Sequence, residues 1–133
     1  VPLVMTEKAL IPDSGGAGRF RGGLGQRLTF RSVSPEPLSF VIRHERVKNP
    51  PGGLLGGLAG AAGIDLVNGE KIPAKTTQTL KTGDTVTFET PGGGGLYPPE
   101  TRDPAALARD VEDGLVSAEA ARAIYGAPAG AGE

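Results

Sequence analysis

Between Asp13 and Gly25 the chain reads DSGGAGRFRGGLG, two Gly-Gly-x-Gly units seven residues apart with Arg19 and Arg21 threaded between them. Backbone this bare can turn several N–H groups toward one anion, and two guanidiniums can grip a carboxylate or phosphate through paired hydrogen bonds. Spacing excludes the two standard phosphate cradles. A Walker loop needs Gly-Lys followed by Ser or Thr, and no lysine here follows a glycine. A dinucleotide fingerprint needs G-x-G-x-x-G opening a helix, whereas Gly16-x-Gly18 is followed by Gly22, one residue too far, and then by a strand-like segment. Two readings stay open. Either a nest of glycine N–H groups flanked by Arg19 and Arg21 holds an anion, or the glycines supply turns while the arginines pair with internal carboxylates such as Asp13 or Glu45.

Other chemistries find fewer residues. Ser14 lies beside Asp13, and His44, the one histidine, would be the base of any triad; Asp-Ser-Gly-Gly is equally an Asx-turn, and His44 reads as a surface or core residue. With no cysteine and a single histidine, a thiolate zinc site and a His-rich metal site are excluded, and no metal site is expected in this chain. Asp110, Glu112 and Asp113 read as the solvated face of a helix. Phe20, Phe30 and Phe40 read as core rather than as a stacking platform for bases.

The elements that must position these residues follow from the pattern. A chain of 133 residues is one domain's worth, and 14 basic against 15 acidic side chains give a net charge of -1 that offers no global attraction to nucleic acid or membrane. The charge is uneven: residues 1–50 carry eight basic and four acidic groups, residues 100–133 three and seven. No run is long enough for a membrane span, the start lacks signal-peptide character, and the lack of cysteine favours the cytoplasm. The first residue is Val1, which points to a piece of a longer protein. Most glycines cluster at 15–25, 52–63, 83 and 92–95, as punctuation in a β-rich fold. Strands are expected at 3–10, 27–33 and 38–43, the last two paired antiparallel through the SPEP turn. Residues 49–63 should form a packed irregular loop. Asn68-Gly69 predicts one hairpin, and Thr82-Gly83-Asp84 a second one leading into Val86 and Phe88. After the tetraglycine, Asp103 should cap a helix that opens on Pro104 and stops at Gly114. Ser117 should cap a second, with Ala120, Ala121 and Ile124 inward and Gly126 closing it. The fold class is therefore mainly β, antiparallel hairpins with Gly-rich loops and a C-terminal αα-hairpin, α+β by count. Residues 1–102 form the β-rich unit, 103–126 the helical hairpin and 127–133 a disordered tail of one domain.

Five blocks, PDSGGAGRFRGGLGQ, ERVKNPPGGLLGGLAG, NGEK, LKTGDTVTFETPGGGG and RDPAALARDVEDGLVSAEAARAIYG, follow one another along the chain. In that order and spacing they resemble the C-terminal portion of the B subunits of the hydantoinase/oxoprolinase family, over nearly the whole chain. The resemblance implies the end of a longer subunit of an ATP-dependent enzyme that opens a cyclic amide such as a hydantoin or 5-oxoproline. A companion A subunit would bind ATP, and ATP and a divalent metal would serve the parent enzyme rather than this segment, which is expected to be inactive alone. The alternatives are a stand-alone β-rich assembly or binding module, or part of a related acetone-type carboxylase, in which the activated compound is carboxylated instead. The expected partners are the remainder of the subunit, the A subunit and further copies of the chain in a homo-oligomer.

The resemblance matches Asp13, Ser14, Gly15, Gly16, Gly18, Arg21, Gly22, Gly23 and Gly25 in the first block, and Arg46, Gly56 and Gly57 in the second. It matches Gly83 and Asp84 at the turn, Gly92, Gly93, Gly94 and Gly95 in the tetraglycine, and Arg102, Asp103, Pro104 and Gly126 at the helical end. It leaves any catalytic residue of this segment unknown. Candidate ligand or interface loops are Asp13 to Gly16, Arg19 and Arg21 to Gly23, with Arg46, Gly92 to Gly95 and Arg102. One departure stands out: Leu96-Tyr97-Pro98-Pro99 replaces the aromatic and further glycine that usually follow the tetraglycine. The three glycine clusters are expected to pack together or against the rest of the subunit, with Arg21 making the more specific contact of the two arginines.

Overall fold

The computed structural model of the chain describes residues 1–128. Seven strands, β1 (Leu3–Leu10), β2 (Gln26–Ser32), β3 (Leu38–Arg43), β4 (Ile64–Val67), β5 (Glu70–Lys71), β6 (Lys75–Leu80) and β7 (Thr85–Glu89), precede two helices, α1 (Pro104–Glu112) and α2 (Ala118–Ala123). The strands form two antiparallel sheets, one ordered β1-β2-β7-β4-β5 and one made of β3 and β6. The mainly β class with a helical hairpin is thus the observed one.

Alternation along β2 sets its two faces. Arg27 stands opposite Glu89 and Thr29 opposite Thr87, while Leu28 meets Phe88 and Phe30 meets Val86. One face carries an ion pair of 2.8 Å and a hydroxyl pair of 3.0 Å; the other carries Phe30 and Phe88, ring centroids 6.3 Å apart. With β1 on one edge of β2 and β7 on the other, no edge is left for β3, which corrects the expected pairing of 27–33 with 38–43. The second expected hairpin fails in the same way, since β6 pairs with β3 and β7 with β2 and β4. The register explains both. Arg31 faces Thr85 and Leu38 faces Leu80, so β2 to β3 and β6 to β7 run as one long antiparallel ribbon that bends from one sheet into the other. Ser32 and Gly83 hold the corner: Ser32 N–H donates to Asp84 O at 2.9 Å and Gly83 N–H to Ser32 O at 2.8 Å. The predicted β4–β5 hairpin is present, with Asn68 at φ 50° and Gly69 at φ 81°, the doubly left-handed turn that Asn-Gly favours. Asn68 also reaches the corner, accepting from Thr85 N–H at 2.9 Å and donating to Asp84 at 3.1 Å.

The glycine segments assemble into one body. Gly16 N–H donates to Gly93 O and Gly93 N–H to Gly23 O; Ala61 N–H donates to Ser14 O and Gly92 N–H to Ala61 O; Gly95 N–H donates to Leu58 O. The first, second and tetraglycine clusters are therefore each bonded to the other two. Among the glycines of these clusters only Gly56 takes a left-handed φ, so most are here for close approach rather than for turning. A Cβ at Gly92 would sit 1.8 Å from Ser14 O, and one at Gly22 2.1 Å from Gly93 O. Gly57, Gly60 and Gly63 recur at every third residue, the period of an extended polyproline-II chain.

The helices start and stop as their residues dictate. Asp103 accepts from Ala106 N–H at 3.0 Å with Pro104 next in line, and Ser117 accepts from Ala120 N–H at 3.0 Å. Gly114 and Gly126 both lie at φ 73° beyond the helix ends. The core of this end joins Leu107, Val116, Ala121 and Tyr125 to Ala17 of the first glycine loop. Three expectations are corrected. Ile124 is exposed and Tyr125 closes the core in its place, because the short α2 turns its Ser117–Ala121–Tyr125 side inward. Phe20 is exposed, and Asp110, expected on a solvated face, is buried. Of the tail expected over 127–133, Ala127 N–H donates to Ala121 O at 2.9 Å, and residues 129–133 lie outside the described residues.

Candidate functional site

Glycine packing fixes the first loop and so fixes Arg21 above α1. Its Nε and Nη2 meet the two carboxylate oxygens of Asp110 at 3.1 and 3.3 Å, a side-on pair. Arg102, arriving from the turn before α1, donates to the same carboxylate at 2.8 Å and to Arg19 O at 3.0 Å. The side chains of Arg21, Arg102 and Asp110 are 16, 12 and 9% exposed, so two guanidiniums share one carboxylate away from solvent. The phenol of Tyr125 sits in this cluster. Burial pushes its pKa up, while the positive charges of Arg102 and Arg21 pull it back and the Asp110 carboxylate adds to the rise. Arg102 Nε is buried with no partner among the described residues.

The remaining candidates are placed as follows. Arg19 is exposed, donating to Thr101 at 3.1 Å with its guanidinium 5.2 Å from the ring centre of Tyr97. Asp13, at φ 61°, accepts from Ser117 N–H at 2.8 Å and so ties the first loop to the start of α2. The buried Ser14 hydroxyl donates to Ile11 O at 2.6 Å and accepts from Gly25 N–H at 2.8 Å. Neither Asp13 nor Glu45 is the carboxylate that pairs with the arginines, since Glu45 meets Lys75 at 3.0 Å. N–H groups of Gly16, Gly22, Gly25, Gly92, Gly93 and Gly95 are engaged inside the glycine body. Gly15, Gly23 and Gly94 belong to the same three strands of backbone.

A second constellation escaped the sequence reading. His44, just past β3, places Nδ1 2.6 Å from Oδ1 of Asp65 on β4, and its ring stands edge-on to Phe88 at 5.2 Å. Asp65 is 2% exposed and its Oδ2 is buried with no partner among the described residues. An ionised carboxylate can only accept, so Nδ1 is the donor in this contact and Nε2 is the ring nitrogen left outside it. The imidazole is half-exposed at a cleft of about 770 Å³ lined by Arg46, Lys48, Ile72, Ala74 and Lys75 among others. Arg46 is here, at φ 62°. The one sequence trace of this pair is an aspartate inside the apolar run Ile64-Asp65-Leu66-Val67.

Among the described residues no group of three or more His, Cys, Asp or Glu could hold a metal ion, and no helix is long and apolar enough to cross a membrane.

Residues 1–99 match the Hydantoinase B/oxoprolinase family model. An uncharacterised protein of Methanocaldococcus jannaschii is 41% identical over 93% of this chain and 22% of its own length. The caprolactamase subunit beta of Pseudomonas jessenii is 36% identical over 94% of the chain and 23% of that subunit. The crystal structure of the ATP-dependent caprolactamase from Pseudomonas jessenii superposes with a TM-score of 0.80 at 30% identity, across 94% of this chain and 23% of that one. A nucleotide-free acetone carboxylase structure shares the fold at TM-score 0.72 and 21% identity. The chain thus spans under a quarter of the length of these relatives. It belongs to the hydantoinase B/oxoprolinase family.

Proposed function

We propose that this chain is the C-terminal part of the B-type subunit of a cytoplasmic, ATP-dependent cyclic amide hydrolase, acting there as a rigid assembly element and inactive alone. The observation that carries this reading is coverage: the fold aligns along 94% of this chain with 23% of a caprolactamase chain. The surface agrees. Phe20, Leu54, Leu55 and Leu58 project exposed from the glycine body, and the edge strand β1 exposes Val4, Met5 and Leu10. An apolar edge strand of this kind is prone to pair with further chain.

We place neither ATP nor a divalent metal on this segment. No lysine follows a glycine, and the described residues offer no cluster of three ligands. We assign ATP to an A-type partner and the metal to the remainder of the subunit; no chemical step is placed on this chain. Cyclic amides of the hydantoin, 5-oxoproline or lactam type are the substrate class. The test is reconstitution. With an A-type subunit alone, the chain should give no ATP-dependent ring opening of these amides. Adding the remainder of the B subunit should restore turnover and draw the chain into the complex. Turnover without the remainder overturns the reading, and a stable homo-oligomer that ignores the remainder supports an independent assembly module instead.

A further inference from the structure

The cleft beside His44 is walled by residues 44–49 after β3 and 72–75 before β6, with His44 N–H bonded to Ala74 O at 2.8 Å across its floor. Three cations line it against one carboxylate, Glu45, and Lys75 already pairs with that carboxylate at 3.0 Å. Arg46 and Lys48 have no carboxylate within ion-pair distance among the described residues. Such an excess is local, since the whole chain is at -1. Arg46 also takes a left-handed φ of 62°, held by Gly63 N–H on its carbonyl at 3.0 Å. A non-glycine residue bears a cost of about 1 kcal/mol in that conformation, and such strain gathers where a side chain must be aimed. Asp65 completes the picture: a buried carboxylate, with its second oxygen unpartnered among the described residues, fixes the ring through Nδ1 and leaves Nε2 as the ring nitrogen outside that contact.

We propose that this cleft binds a phosphoryl oxyanion, inorganic phosphate or a phosphomonoester, with Arg46 and Lys48 pairing with its anionic oxygens. His44 Nε2 accepts a hydrogen bond from its P–OH group, and Asp65 is the positioning residue for the ring. A ligand that offers both negative oxygens and a proton fits this set; a carboxylate or sulfate dianion offers the first without the second. The inference stands on the cleft alone and not on the enzyme reading.

His44 is the one imidazole in the chain, so its ring resonances in NMR spectra are unambiguous. Titrated with inorganic phosphate at constant ionic strength, the 133-residue chain should show a saturable shift of these signals with a Kd of about 1 mM. Sulfate and acetate should bind about tenfold more weakly. Arg46→Gly, which suits the left-handed backbone, should weaken phosphate about tenfold and leave the spectrum otherwise folded. Asp65→Asn should move the ring proton off Nδ1, read from the ring nitrogen shifts, and weaken phosphate as well. If that variant does not fold, Arg46→Gly decides. No saturable response to phosphate, an equal response to all three anions, or unchanged binding in Arg46→Gly overturns the proposal.

Discussion

Asp110 is the residue on which the helical end and the first glycine loop depend together. Its carboxylate is the shared partner of Arg21 and Arg102, all three largely shielded from water. Removing it leaves two guanidiniums with no counter-charge in a site that water reaches poorly. Asp110→Ala should therefore cost about 3 kcal/mol in urea unfolding, against about 1 kcal/mol for the capping change Asp103→Ala. Equal costs for the two would show that the shared pair contributes no more than a cap. Tyr97 bears on the departure after the tetraglycine. It sits at φ 62°, so the chain keeps there the conformation a glycine would take while holding a tyrosine. Its ring has compensating contacts, Phe20 at 6.4 Å in a T-shaped pair and the Arg19 guanidinium. Tyr97→Gly trades those contacts for relief of strain, whereas Tyr97→Val loses the contacts and worsens the strain. Thermal unfolding should place Tyr97→Val below Tyr97→Gly by about 1–2 kcal/mol.

Strands and helices were legible to different depths. The capped starts and glycine stops of α1 and α2, the alternation of β2 and the Asn68-Gly69 turn all follow from bonds within a few residues, and all are found. Strand partners were not legible. Thr82-Gly83-Asp84 fixes a change of direction, and only the register of β2 with β7 shows that the change is a corner between sheets. The glycine body yields the sharpest test at this scale. Gly92→Ala puts a methyl 1.8 Å from Ser14 O, so backbone must move, while Gly23→Ala meets nothing within 4 Å. Calorimetry should find Gly92→Ala destabilised by about 3 kcal/mol or unfolded and Gly23→Ala within about 0.5 kcal/mol of the parent. Comparable losses at both positions would mean that the segments are not held in contact.

At the scale of the molecule, the helical hairpin closes on the glycine body through Ala17 and Tyr125, and the Tyr125 phenol makes that closure sensitive to alkali. Burial raises its pKa above the free value of 10.0, against the pull of Arg102 and Arg21. The folded chain therefore holds this proton to higher pH than the unfolded chain does. Its stabilising contribution is complete below about pH 10 and is lost as pH rises through the folded value. Tyr125→Phe should flatten the alkaline fall in stability measured by urea titration across that range; an unchanged fall would assign it to other groups. The same closure leaves Phe20, Leu54, Leu55, Leu58 and the β1 edge uncovered, the surfaces on which the reconstitution experiment depends.

By itself the sequence determined the local grammar: which segments are strands, where helices are capped, that the glycine clusters are packed loops, and the family blocks that carry them. These depend on each residue's own conformational preferences and on bonds to near neighbours. Tertiary structure alone decided the partners. Arg21 and Asp110 lie 89 positions apart and His44 and Asp65 21 apart, and nothing in their types says which carboxylate each cation will meet. Asp110 looked solvated because helix periodicity reports a face without reporting what covers it, and here Arg21 and Arg102 cover it. Glycine clustering marked packed loops without saying which backbones meet at which glycine. Most of these glycines prove to be places where two backbones touch, a property of pairs of segments that one segment's sequence does not carry.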